Sequence, residues 1–241
     1  MVRARHRTVD RIVAILEAVA TTQRGLTLTE MAVRLRAPVS SIQKLVNGLT
    51  AVGYLDEEDQ HRFVLGPAPY VLSLRSRRLP IRDIRHDDLV ALSQTVGLPT
   101  LIAVRVGLSA MYVDWAGTDE PFDYALAAGM RAPLDRTAAG RVLLAHLHES
   151  DRKEAVELIT RGNTDASVAL LEQCQTIRSQ GYAMQASDHQ MRHTTAIAAP
   201  IVQRGTVVAA IALADQQHSL AARRDDLVPL LQEWTTKYRT E

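Results

Sequence analysis

The chain has 241 residues, 46% apolar and 23% charged; this suits one large domain or two modest ones and excludes wholesale disorder. Its longest apolar run, Val207–Ala214, has eight residues where a membrane-spanning helix needs about 20, and its single cysteine, Cys174, excludes an intrachain disulfide or a multi-cysteine metal site. The net charge of +1 hides an asymmetry. Residues 1–80 hold 12 Lys and Arg against 7 Asp and Glu, and the remainder holds 16 against 20, which suggests that only the first part meets a polyanion. The basic N-terminus has no apolar core behind it and does not read as a secretory signal, so a cytoplasmic protein with no membrane partner is expected.

In chain order, Thr8–Ala20 reads as a helix with Val9, Ile12, Val13, Leu16 and Val19 on one stripe. Thr27 and Glu30 have the spacing of a capping box, in which each side chain satisfies a free backbone N–H at a helix start. Pro38 interrupts, and a further helix runs from Ser40 to about Val52, capped by Ser40 or Ser41 and buried along Ile42, Leu45, Val46 and Leu49. Tyr54-Leu55 and Arg62–Leu65 read as two short strands about the polar turn Glu57–Gln60, and Tyr70–Arg78 as a linker helix.

From Asp83 the pattern becomes mixed. Helices are expected at Asp83–Val96, Thr137–His148, Ser150–Ile159, Ser167–Gln180 and Ala221–Tyr238. Strands are expected at Leu101–Val106, Ala110–Trp115, Phe122–Ala127, Tyr182–Ala186, Thr195–Val202 and Thr206–Ala214, the last two joined by the turn Gln203–Gly205. Strands linked mostly by turns imply a mainly antiparallel sheet with helices against it. The fold class is α+β, with domains at 1–66, 67–82 (the linker helix) and 83–241.

Three short helices followed by a two-stranded hairpin describe a winged helix-turn-helix, whose third helix enters the major groove of double-stranded DNA. The solvent side of that helix carries Ser40, Ser41, Gln43, Lys44 and Asn47. Gln and Asn can pair with adenine, Lys can reach guanine acceptors, and Ser can bind a phosphate or a base edge. The wing tip is acidic, so His61 and Arg62 are its expected phosphate contacts. Arg3, Arg5 and Arg7 form either an arm for DNA or a solvated tail.

Several segments together resemble one family, the IclR-type transcriptional regulators. They are Arg11–Leu16, Leu26–Ala32, Pro38–Leu45, Gly53–Leu55 and Leu65-Gly66, then Arg136–Ala145, Gly181–Ala183 and Ile197–Pro200. The resemblance spans nearly the whole chain. It implies a winged helix domain, a linker helix and a profilin- or GAF-like effector domain, in a homodimer or dimer of dimers bound to operator DNA.

Thr137–Gly140 opens a helix with small residues. Such a start is either an ordinary packed helix end or a receptor for a carboxylate, drawn by free N–H groups and the positive dipole end. By the resemblance, Ala138 and Ala139 match positions that contact the effector's acid group, and Tyr124 and Ala132 match its apolar wall. The sequence departs from the family at Gln185, where paired acids are common, at Ala196, where a Cys is common, and at Ala212 and Ala214, where hydroxyl residues are frequent. A roomier and less polar pocket follows, suited to an aromatic or larger apolar carboxylate on which Trp115 and Tyr124 could stack.

His189, His193 and Asp188 fall in a loop, where four-residue spacing does not build a metal site. No Gly-x-Ser-x-Gly, phosphate loop or dinucleotide fingerprint is present, so no enzyme, metal or cofactor is expected. The reading is a DNA-binding repressor of a catabolic operon, controlled by a small carboxylate. The alternatives are a ligand-independent DNA binder or an enzyme built on the C-terminal domain.

Overall fold

The computed structural model describes residues 6–76, 84–117, 131–186, 195–215 and 220–239. These fall into two compact units, one ending with residue 76 and the other starting at 84.

The first unit opens with α1 (Arg7–Ala20), α2 (Leu28–Arg34) and α3 (Val39–Ala51). Helix α2 begins as its spacing predicts: the Thr27 hydroxyl accepts from the Glu30 N–H at 3.3 Å, and Glu30 Oε2 accepts from the Thr27 N–H at 2.8 Å. It ends in a Schellman motif. The Ala37 N–H donates to the Ala32 carbonyl and the Arg36 N–H to that of Val33, with Arg36 in the left-handed region at φ 48°. The next helix starts one residue earlier than expected. Its N-cap is Pro38, with no side-chain cap. Ser40 and Ser41 therefore lie inside the first turn, where neither serves as the N-cap residue that accepts from the turn's free N–H groups. Ile15, Met31, Ile42 and Val46 are completely buried between the three helices.

Strands β1 (Leu55–Glu58) and β2 (Arg62–Leu65) pair antiparallel about a short turn. The strand therefore continues through Glu57 and Glu58, which the polar composition had assigned to the turn. The wing is pinned to the α1–α2 connection, because Leu26 and Phe63 exchange both backbone hydrogen bonds, at 3.0 and 2.9 Å. Gly25 makes this possible: at φ 68°, a Cβ there would stand 2.8 Å from the Phe63 carbonyl oxygen. Helix α4 (Ala68–Ser76) follows. Arg7, expected in an N-terminal arm, is the first residue of α1; Arg3 and Arg5 lie outside the described residues.

Among the described residues, the second unit holds a six-stranded sheet in the order β5-β4-β3-β8-β7-β6, with every neighbouring pair antiparallel. Its strands are β3 (Thr100–Val106), β4 (Ser109–Ala116), β5 (Arg131–Pro133), β6 (Ala183–Ala186), β7 (Thr195–Gln203) and β8 (Thr206–Asp215). Its helices are α5 (His86–Val96), α6 (Ala138–Ala145), α7 (Glu149–Thr160), α8 (Thr164–Gln180) and α9 (Leu220–Thr236). The expected strand Phe122–Ala127 lies outside the described residues. The three-residue strand β5 was not anticipated, and α6 stops at Ala145, short of His148. The hairpin turn between β7 and β8 is Arg204-Gly205, both at positive φ, which matches the twist of the strands it joins.

Alternation along the strands divides the unit into two cores. Ile197, Ala199, Ile201, Ala209, Ile211 and Leu213 face α5 and α9. Ala198, Ala210 and Ala212 face α6 and α8. On β7 and β8 the second face is built of methyl groups, which allows α6 to sit close. Gly140 completes that approach: a Cβ there would lie 2.5 Å from the Leu134 carbonyl oxygen.

Candidate functional site

The outer face of α3 presents Ser40, Gln43, Lys44 and Asn47 to solvent, while Ile42, Val46 and Leu49 hold the opposite face in the core. Ser41 is half-buried and accepts a hydrogen bond from Arg11 Nη1 at 3.1 Å. It thus ties α3 to α1 and is less available to DNA than its four neighbours. Arg11 was not singled out in the sequence, because a contact thirty residues apart leaves no local signal.

Arg62 also differs from expectation. Its guanidinium bonds both Glu30 oxygens, at 3.0 and 3.4 Å, and the Gly25 carbonyl at 3.1 Å. It braces the wing against α2 and is largely spoken for as a phosphate contact. The Thr27 backbone N–H and the Arg62 guanidinium hold the Glu30 carboxyl below its ordinary value. His61 is exposed at the wing, paired with Glu57.

In the second unit, cross-strand partners place most of the expected effector residues on the α6 face. Ala183, Ala198, Ala212, Leu101 and Trp115 form one row across five strands. Gln185, Ala196 and Ala214 form the adjoining row on the same face. Ala132 stands apart: it pairs with Ala110, five positions along β4 from Trp115, or about 17 Å of strand. Tyr124 lies outside the described residues, as do Asp188, His189 and His193.

Thr137 is the N-cap of α6, its hydroxyl accepting from the Gly140 N–H at 3.0 Å while its carbonyl takes the Arg141 N–H. Ala138 and Ala139 are each 1% exposed, and among the described residues their N–H groups have no hydrogen-bond partner. The helix therefore opens with two buried donors that are free among the described residues, at its positive dipole end. Gln185 reaches this start from β6, its Nε2 donating to the Asp135 carbonyl at 3.4 Å. Tyr112 also bonds Thr137; its phenol is pushed up by burial.

The remaining candidate groups are less reactive. Burial raises the Cys174 thiol even though Arg152, Arg141 and Arg178 oppose it, which suits a packed, inert thiol. Burial lowers His146, whose ring N–H donates to the Val142 carbonyl. Among the described residues no group of three or more His, Cys, Asp or Glu is arranged to hold a metal, and no helix is long and apolar enough to cross a membrane.

Two family profiles match the chain in order: the IclR helix-turn-helix domain over residues 8–59 and the bacterial transcriptional regulator IclR C-terminal region over 75–239. The chain is 29% identical to the HTH-type transcriptional regulator BhcR of Paracoccus denitrificans over 202 residues, 81% of this chain and 72% of that one. It is 26% identical to the Pca operon regulatory protein of Acinetobacter baylyi over 248 residues, 96% and 87% of the two chains. Its fold is similar to that of an IclR homolog from Microbacterium hydrocarbonoxydans complexed with 4-hydroxybenzoate (TM-score 0.70, 21% identity, 95% of each chain). It is also similar to IclR of Thermotoga maritima (TM-score 0.64, 22% identity, 96% of this chain and 98% of that one). Profiles matched over both units, on a winged helix followed by this sheet, show that the chain belongs to the IclR family of bacterial transcriptional regulators, with their DNA-binding helix-turn-helix at its N-terminal end.

Proposed function

We propose that this regulator is a repressor of a catabolic operon and that a small aromatic or apolar carboxylate loosens its hold on the operator. The observation that carries this reading is the start of α6, where the buried amides of Ala138 and Ala139 have no hydrogen-bond partner among the described residues and the sheet rows on that side carry Ala196, Ala198, Ala212, Leu101 and Trp115. Paired backbone donors at a helix N-terminus suit an anionic oxygen, and the partly exposed Ala196, Ala214 and Trp115 on that side of the sheet suit an apolar body. The relatives are consistent with this: one is a Pca operon regulatory protein, and the similar structure from Microbacterium holds 4-hydroxybenzoate. The residues proposed around the acid are Thr137, Ala138, Ala139, Gln185, Ala196, Ala212 and Trp115, with the DNA read by Ser40, Gln43, Lys44 and Asn47.

The functional form is a homodimer or a dimer of dimers, and the acid acts by binding one arrangement of its reading heads better than another. The test is a thermal-shift screen of aromatic and aliphatic acids, followed by operator gel shifts with every acid that binds. A ligand specific for the folded state stabilises it by about 2.7 kcal/mol at a hundredfold excess over Kd. Acids that raise the melting temperature and release the operator support the reading. A protein that no acid stabilises, or whose operator complex no binding acid disturbs, overturns it.

A further inference from the structure

The two central strands of the sheet part at one end. Strands β3 and β8 pair from Thr100↔Leu213 to Ala103↔Ala210 and no further, although β3 runs on to Val106 and β8 begins at Thr206. The cause lies in β8. Against β7 its register jumps from Ala209↔Ile201 to Val207↔Val202, so Val208 is an extra residue with a strand partner on neither side. A bulge of this kind bends the strand that carries it. Beside the first pair, the Ala214 N–H donates to the Pro99 carbonyl. Bonding pairs recur every second residue in an antiparallel ladder, so 101 with 212 and 103 with 210 continue the series. The next such pair, Arg105 with Val208, is not made, and the backbone N–H and C=O of Arg105 face the gap.

The gap opens into a cleft of about 450 Å³ lined by Val104, Arg105, Val207 and Val208 from the two strands and by Leu143, His146 and Leu147 from the far end of α6. Thr137 is at the opposite end of that helix, so the cleft is separate from the carboxylate site proposed above. Five of its seven lining side chains are aliphatic. Arg105 is exposed; its Nη1 donates to the Gly107 carbonyl at 3.1 Å, and it has no carboxylate partner among the described residues. His146 spends its Nδ1–H on the Val142 carbonyl, and burial, then Arg178 and Arg152, favour its uncharged form. The charge in the cleft is therefore that of Arg105.

We propose that this cleft binds a short extended peptide with aliphatic side chains and a free C-terminal carboxylate. The peptide backbone exchanges hydrogen bonds with Arg105 where β8 no longer does. Its side chains lie against Val207, Leu143 and Leu147, and its carboxylate pairs with the Arg105 guanidinium. Strand addition takes affinity from main-chain bonds and selectivity from the pockets for side chains. A plain aliphatic acid would use the walls and the cation but leave the strand edge to water; an amide backbone carries both the donor and the acceptor that the edge requires.

The test is calorimetry on the full-length protein with acetyl-Leu-Val-Leu, its C-terminal amide, its analogue N-methylated at valine, and 4-methylpentanoate, which has no amide. The variants are Arg105→Gln, Val207→Trp to fill the cleft, and Ala139→Val at the separate carboxylate site. The expected result is that wild type and Ala139→Val bind the peptide acid alike. Removing the carboxylate, methylating the amide or replacing Arg105 each weakens binding about tenfold or more, and Val207→Trp abolishes it. A wild type that does not bind the peptide acid overturns the proposal, and so does binding unchanged in Arg105→Gln, which alters only an exposed side chain. Binding lost in Ala139→Val alone would put the peptide at the start of α6 and also overturn it. If 4-methylpentanoate binds as tightly as the peptide and depends on Arg105, the cleft takes a plain acid and the peptide assignment falls.

Discussion

Single side chains separate reading from folding on α3. Gln43 and Lys44 are exposed while Ile42 and Val46, on the same turns, are fully buried. Gln43→Ala and Lys44→Ala should therefore leave the fold intact and weaken operator binding by about 1–3 kcal/mol for each lost base contact. Gel-shift titrations at one fixed salt concentration check this, and wild-type affinity in both variants would remove the helix from base reading. The same logic applies at the start of α6, where Ala139 is 1% exposed. A valine there fills the space proposed for the acid group, and overpacking a tight site costs about 1–3 kcal/mol. Ala139→Val should bind operator like wild type but need roughly tenfold more effector to release it, since 1.4 kcal/mol is a factor of ten. Release at the wild-type effector concentration would sink the assignment.

At the scale of elements, Glu30 joins the α2 start to the wing: it closes the capping box and takes both the Arg62 fork and Arg24. Its carboxyl is held below the ordinary value of 4.5, first by the Thr27 N–H and then by Arg62. A depressed folded value means that the charged form contributes stability above the unfolded value, and that this contribution is lost as pH falls through the folded one. Glu30→Gln keeps the box, since Gln can also accept from the cap N–H, but removes the charge. The variant should melt below wild type at neutral pH, and the gap should close on acidification below about pH 4.5. A gap that stays constant with pH would mean that the charge is idle. The capping box was legible in the sequence because its partners are three residues apart. The Arg62 brace was not, because its partner lies thirty-two residues away, and residue type alone made that arginine look like a phosphate contact. Strand β5 was missed for a related reason: Arg131-Ala132-Pro133 carries no alternation, and only the pairing with β4 makes it a strand.

At the scale of the molecule, the sequence order of the segments was enough to read a winged helix followed by an antiparallel sheet, because hydrophobic period is a local property. The site was legible only in part. The helix start at Thr137 could be read, but the sheet rows on its side emerge from pairings across five strands. What the fold leaves open to a partner is α4. Tyr70, Val71, Leu72 and Leu74 are 68%, 42%, 52% and 60% exposed, a concentration of apolar surface on nine residues that a monomer would leave in water. A two-fold partner that buries this helix would also set the separation of two reading helices, and a pseudo-palindromic operator then needs half-sites about 34 Å apart or a multiple of it. The double substitution Leu72→Ser with Leu74→Ser should raise the dimer dissociation constant by about tenfold or more, as each leucine gives up burial worth about 1.5–3 kcal/mol at most. Light scattering across a dilution series measures this directly. Operator affinity should fall with it, and a single half-site should bind wild type and variant alike. A wild type that is monomeric at micromolar concentration with and without DNA, or a variant whose assembly is unchanged, would place the contact elsewhere.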